Sequence, residues 1–167
     1  MTTIIDGSAG ITFPAGGNPQ AAPSSVIQTV NTTTPTTGFI AQTASTSMVS
    51  TGFSVTITPK FANSKILLTV GSNGQTSATG VVYYTIYRNS TNLVTGSGIS
   101  MITSLRNSNG VNGGSVVMSF VDSPTTTSAT TYTVYFCVDS GITGYFGYAP
   151  NAASNQASTF IAQEISA

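Results

Sequence analysis

Hydrophobic and polar residues alternate with a period of two along most of this chain, and no window carries a sustained i, i+3, i+4, i+7 apolar stripe. The clearest case sets Phe53, Val55 and Ile57 against Ser54, Thr56 and Thr58 and then meets Pro59, which predicts a half-buried strand closed by a turn. Residues 64–70 begin polar and become continuously apolar at Ile66-Leu67-Leu68, as in a strand covered on both faces. Residues 81–88, 116–121, 131–138 and 158–165 are rich in the β-branched and aromatic types that pack well on pleated sheets. Weaker strand signals lie at 26–30, 39–43 and 99–103. Turn signals separate these segments at 59–64, Asn73-Gly74, 88–92, 107–114, 124–129 and 141–155. Short strands at this spacing predict an all-β head over residues 26–167, an antiparallel β-sandwich with jelly-roll topology as the favoured variant.

Residues 1–25 differ in kind. They combine Gly7, Gly10, Gly16, Gly17, Pro14, Pro19 and Pro23 with only isolated large hydrophobes, Ile4, Ile5, Ile11 and Phe13. Such a segment makes no core of its own, so it is expected to be an extended N-terminal arm tied down by something else. Anchors spaced along an extended chain suit strand addition to a partner sheet, where main-chain hydrogen bonds give affinity and apolar side chains give register. The alternative on the same composition is an arm folded back over its own sandwich.

Charge changes the functional picture more than any motif. The chain has 167 residues, four Lys or Arg, four Asp or Glu and no histidine, so 5% of it is charged, against about a quarter in ordinary globular chains. Without histidine there is no Ser-His or Cys-His nucleophile system and no imidazole metal ligand. Lys60, Lys65, Arg88 and Arg106 are too scattered to form a basic stripe, so no nucleic-acid partner is expected. No run of about 18 apolar residues is available to span a bilayer as a helix, and with no basic start or long apolar stretch in the opening residues no secretory signal is expected. A formal net charge of zero leaves little colloidal repulsion between copies, so self-association is expected.

The remaining chemistry is sparse. Cys137, the one cysteine, has no partner for a disulfide and sits in an apolar strand pattern, where it reads as a small buried hydrophobe. The acids are Asp6, Asp122, Asp139 and Glu164. Asp122 and Asp139 end successive candidate strands and so could meet at one end of the sandwich as a carboxylate pair. Turn capping is the commoner role for such residues. No catalytic residue, metal site or cofactor is assigned. Tyrosines form the other cluster: Tyr83, Tyr84 and Tyr87 on one strand, Tyr132 and Tyr135 on another, and Tyr145 and Tyr148 in a glycine-rich loop. Consecutive strand residues face opposite sides, so Tyr83 and Tyr84 cannot line one site. Tyr145, Phe146, Tyr148 and Asn151 make that loop a candidate surface for stacking on sugar rings and hydrogen-bonding their hydroxyls. Packing at an interface is the competing role.

Three stretches carry a resemblance: Gly10-Ile11-Thr12-Phe13-Pro14 near the start; Gly52-Phe53-Ser54-Val55-Thr56-Ile57-Thr58-Pro59 with Asn63-Ser64-Lys65-Ile66-Leu67-Leu68-Thr69-Val70; and Tyr84-Thr85-Ile86-Tyr87-Arg88-Asn89 with the closing Ile161-Ala162-Gln163-Glu164-Ile165. In these the chain resembles small virion-surface proteins of tailed bacteriophages, the capsid decoration or cement proteins and the short fibre knobs. The resemblance implies a non-enzymatic homotrimer of β-sandwich heads on the outer surface of a phage particle. Residues 1–25 would anchor it to another virion protein, with the major capsid protein as the expected partner. No heptads or collagen-like triplets separate arm from head. That lack of reach places a decoration protein ahead of the alternative, a tail-fibre or head-fibre knob that binds a host surface glycan or receptor.

Overall fold

The computed structural model describes residues 4–6, 10–12, 24–36, 38–148 and 156–166. Among the described residues there is no helix, and every strand pairing is antiparallel. Near the start, β1 (Ile4–Asp6) and β2 (Gly10–Thr12) pair with each other, Ile5 opposite Ile11, as a two-stranded ladder of their own. Residues 4–6 and 10–12 of the expected arm are thus two short paired strands.

The head is a sandwich of two sheets. The first runs β3 (Val26–Thr36), β13 (Gln156–Ile165), β6 (Lys65–Thr76) and β10 (Asn112–Asp122), and the second runs β5 (Val49–Ile57), β11 (Thr130–Val138), β7 (Gly80–Arg88) and β9 (Thr103–Asn107). Short strands finish both: β12 (Gly144–Phe146) continues along β6 beyond the end of β13 and carries β4 (Ala41–Thr43) on its other side, and β8 (Thr91–Asn92) pairs with the end of β7. The pairings are nested. β7 pairs with β9, β6 with β10, β5 with β11 and β3 with β13, each pair enclosing the one before it in sequence.

The two-residue period sorts side chains as the sequence predicts. Phe53, Val55 and Ile57 meet Ile66, Leu68 and Val70 in a core completed by Val82, Tyr84, Ile86, Val116, Met118, Tyr132, Val134, Phe136 and Phe160. Tyr84 and Phe136 stack within it, with centroids 6.1 Å apart. Tyr83 and Tyr87 face the other way, and Tyr87 stacks on Tyr135 at 3.9 Å across the outer face of the second sheet.

Two buried acids fasten one end of the sandwich. Asp122 takes hydrogen bonds from Arg88 Nη1 at 3.0 Å and from the Tyr132 hydroxyl at 2.7 Å, which ties β10 of one sheet to β7 and β11 of the other. Glu164, fully buried, accepts from the Lys60 and Phe61 amides at 2.8 and 3.1 Å and from Gln28 Nε2 at 2.6 Å, holding the turn between β5 and β6. Burial alone would raise the Glu164 carboxyl, but the hydrogen bonds from the Lys60 amide, Gln28 and the Phe61 amide outweigh it and hold the group below the usual carboxylate range. Ser64 adds to that effect through its nearby hydroxyl, although the hydroxyl makes no bond of good geometry.

Several expectations shift. Asn73-Gly74 is no turn; it lies inside β6, paired with Ser115 and Gly114. Gly113 and Gly114, also read as turn, belong to β10, and β9 starts at Thr103 where the pattern pointed to 99–103. β3 continues to Thr36 through a polar Thr-rich run because β13 supplies its ladder partner, and Pro35 is tolerated there because β3 is an edge strand. Leu67 is only partly buried, so β6 has one core face and one outer face. The head also begins before Val26: the Ser24 amide donates to the Ser166 carbonyl and the Ser166 amide to the Ser25 carbonyl, each at 3.0 Å.

Candidate recognition groove

The outer face of the first sheet carries a groove of about 300 Å³ where β6, β10, β12 and β13 converge. Asn73 and Gln75 line it from β6, Gly113 and Gly114 from β10, Gln156 from the first position of β13, and Tyr148 from the segment after β12. Gly113 belongs to the outward-facing set of β10, so the floor there is bare backbone. The Asn73 side-chain amide donates to Gln156 Oε1, which orders both groups. An aromatic shelf runs beside the groove: Tyr148 packs on Tyr145 at 5.5 Å and Tyr145 on Phe39 at 5.4 Å.

Local sequence and a long-range contact together place the shelf. In β12 the pleat sends Tyr145 outward, opposite Gln42 and Gln75, and Phe146 inward. The Tyr84 hydroxyl crosses the core to donate to the Tyr145 carbonyl at 2.9 Å, and Ile40 N donates to the Phe146 carbonyl at 2.9 Å. Gly147 adopts φ of +64° and its amide donates to the Asn73 carbonyl at 2.7 Å, which turns Tyr148 over the groove. A side chain at position 147 would also overlap Ile40.

Gly74 has a different task. A Cβ there would overlap the Tyr84 hydroxyl and lie 2.9 Å from Val116 Cγ2. The glycine thus lets a core tyrosine of the second sheet reach β12 of the first.

The predicted recognition residues separate accordingly. Tyr145 and Tyr148 come together on the shelf, whereas Phe146 is fully buried among Phe53 and Tyr84, a correction that follows from its parity on β12. Asn151 and the proposed anchor Phe13 lie outside the described residues. Ile4, Ile5 and Ile11 fall in β1 and β2. Sequence reading missed Asn73, Gln75, Gln156 and Gly113, whose partners are distant in the chain. The only local signal was the glycines and amides at Asn73-Gly74 and 107–114, and it read as turns.

The acids are placed apart. Asp139 follows β11 and binds the Val81 amide at 3.1 Å and the Tyr83 hydroxyl at 3.0 Å, at the start of β7, while Asp122 binds Arg88 at its end. Seven residues of strand separate those points, roughly 23 Å at about 3.3 Å per residue, so the two do not form a carboxylate pair. Burial raises the Tyr83 hydroxyl, and the bond to Asp139 raises it further. Cys137 is buried and burial pushes its thiol up, the opposite of a reactive thiolate. Among the described residues no three of His, Cys, Asp and Glu come together as a metal cluster. No protein-family model and no curated protein matches this chain.

Proposed function

We propose that this chain is a non-enzymatic structural protein of the outer surface of a tailed-phage particle, a homotrimeric decoration head anchored to the major capsid protein through the N-terminal arm that precedes Ser24. The observation that carries the reading is the nested set of four antiparallel pairs, β7 with β9 inside β6 with β10 inside β5 with β11 inside β3 with β13. Such nesting, wrapped into sheets ordered β3-β13-β6-β10 and β5-β11-β7-β9, supports a jelly roll, an architecture used by viral capsid and lectin domains. A fold alone carries many functions. The non-enzymatic part therefore rests on what the acids do: Asp122, Asp139 and Glu164 each accept internal hydrogen bonds that hold strands and turns.

Anchoring through several copies fits the charge-poor composition. Once one arm of a trimer is engaged the others bind intramolecularly, so avidity exceeds the affinity of any single arm, and with so few charges the bond is insensitive to salt. The test compares the full chain with one lacking residues 1–23, by mass in solution and by binding to undecorated phage heads. The expected result is two trimers, of which only the full chain binds heads. Equal binding without the arm would overturn the anchoring role.

The aromatic shelf favours a second reading, a short fibre knob that binds a host surface glycan or receptor. It predicts adhesion of the isolated head to host cells.

A further inference from the structure

The groove on the first sheet has the composition of a small-ligand site, and we infer that it binds a neutral sugar. This inference rests on the knob reading for its biological setting but concerns the chemistry of one surface. Three features converge there.

First, the lining offers both halves of sugar recognition. Tyr148 supplies an aromatic ring at the groove, buttressed by Tyr145 and, behind it, Phe39, and the C–H face of a pyranose stacks on such a ring. Asn73, Gln75 and Gln156 supply amides, each able to donate and to accept, as a sugar hydroxyl requires. The bond from Asn73 to Gln156 orients two of them and leaves an acceptor oxygen on Asn73 and a donor nitrogen on Gln156 that this bond does not use.

Second, the floor is bare backbone. Gly113 faces outward from β10, and a Cβ there would lie 3.1 Å from the Gly74 carbonyl oxygen, in the space beside the amides. At about 300 Å³ the groove lies at the lower end of the range for small-ligand sites, suited to a sugar ring and unsuited to a large cofactor.

Third, among the described residues none that lines the groove carries a charge. An anionic glycan would leave water for a surface with no cation to receive it, which costs binding energy, whereas a neutral sugar exchanges hydroxyl–water bonds for hydroxyl–amide bonds. The groove therefore discriminates by charge as well as by shape.

The experiment is affinity electrophoresis of the full chain through gels containing dextran, mannan or galactan, with polygalacturonate as the acidic counterpart. Retardation by at least one neutral polymer is expected, with at least a ten-fold loss of apparent affinity in Tyr148→Ala and in Gln75→Ala. Tyr148 follows a short strand and Gln75 faces outward, so both variants should keep the wild-type thermal midpoint, which is measured alongside. No retardation by any neutral polymer overturns the assignment, as does retardation by polygalacturonate alone or retained affinity in both folded variants. Adhesion to host cells without retardation by the neutral polymers would overturn the sugar assignment and leave the knob reading standing. Loss of head binding on arm truncation reports on the decoration reading separately.

Discussion

Gly74→Ala is expected to destabilise the head through one identifiable contact, and a second substitution should relieve it. The backbone at Gly74 is not in the left-handed region, so alanine has no conformational cost there and would ordinarily favour a strand. All of the expected loss comes from the new methyl, which overlaps the Tyr84 hydroxyl and sits 3.1 Å from Tyr84 Cζ and 2.9 Å from Val116 Cγ2. Tyr84 is fully buried and its hydroxyl is held by the Tyr145 carbonyl, so it cannot swing away. Overpacking of this kind costs about 1–3 kcal/mol. Tyr84→Phe alone removes the bond to Tyr145, a loss of about 1 kcal/mol. In the double variant the methyl occupies space the hydroxyl has vacated, so the total loss should fall short of the sum by at least about 1 kcal/mol, within the range for residues in contact. Urea unfolding followed by circular dichroism measures this, at one fixed protein concentration because self-association would couple to unfolding. Additivity within about 0.5 kcal/mol would refute the reasoning, since that is how independent sites behave.

Two further outcomes follow from the buried acids. The folded Glu164 carboxyl lies below its ordinary value of 4.5, so as pH falls the unfolded chain takes up this proton first; the stabilisation is complete above the unfolded value and is lost as pH falls through the folded one. Glu164→Gln should cost about 1.5–3 kcal/mol at neutral pH and flatten the acid limb of the stability profile, and an unchanged acid limb would show that the group plays no part. Arg88→Met leaves Asp122 with Tyr132 as its remaining side-chain donor; because Arg88 is about a third exposed, the loss should be only about 1–2 kcal/mol. Equal thermal midpoints for Arg88→Met and wild type would show that Tyr132 alone satisfies Asp122.

Alternation alone determined which residues of 53–57 face the core, because side-chain direction in a strand is a local property with a period of two. By the same rule Tyr83 and Tyr84 were separable before any partner was known. Composition determined that the chain carries few charges and no imidazole chemistry. Tertiary structure decided the rest, since strand partners are set by contacts between residues far apart in the chain. Asn73-Gly74 carries the local signature of a turn, yet β10 and β12 pair with it on either side and Tyr84 needs the space a glycine leaves. The polar run of β3 has no hydrophobic pattern to announce it and is a strand because β13 completes its ladder. Asp122 and Asp139, ends of successive strands in sequence, lie at opposite ends of β7 because β11 starts at the end of the sandwich where β10 stops and runs back. The groove is the extreme case: Asn73, Gly113, Tyr148 and Gln156 meet only because a nested fold brings four strands to one surface, and no local pattern encodes that meeting.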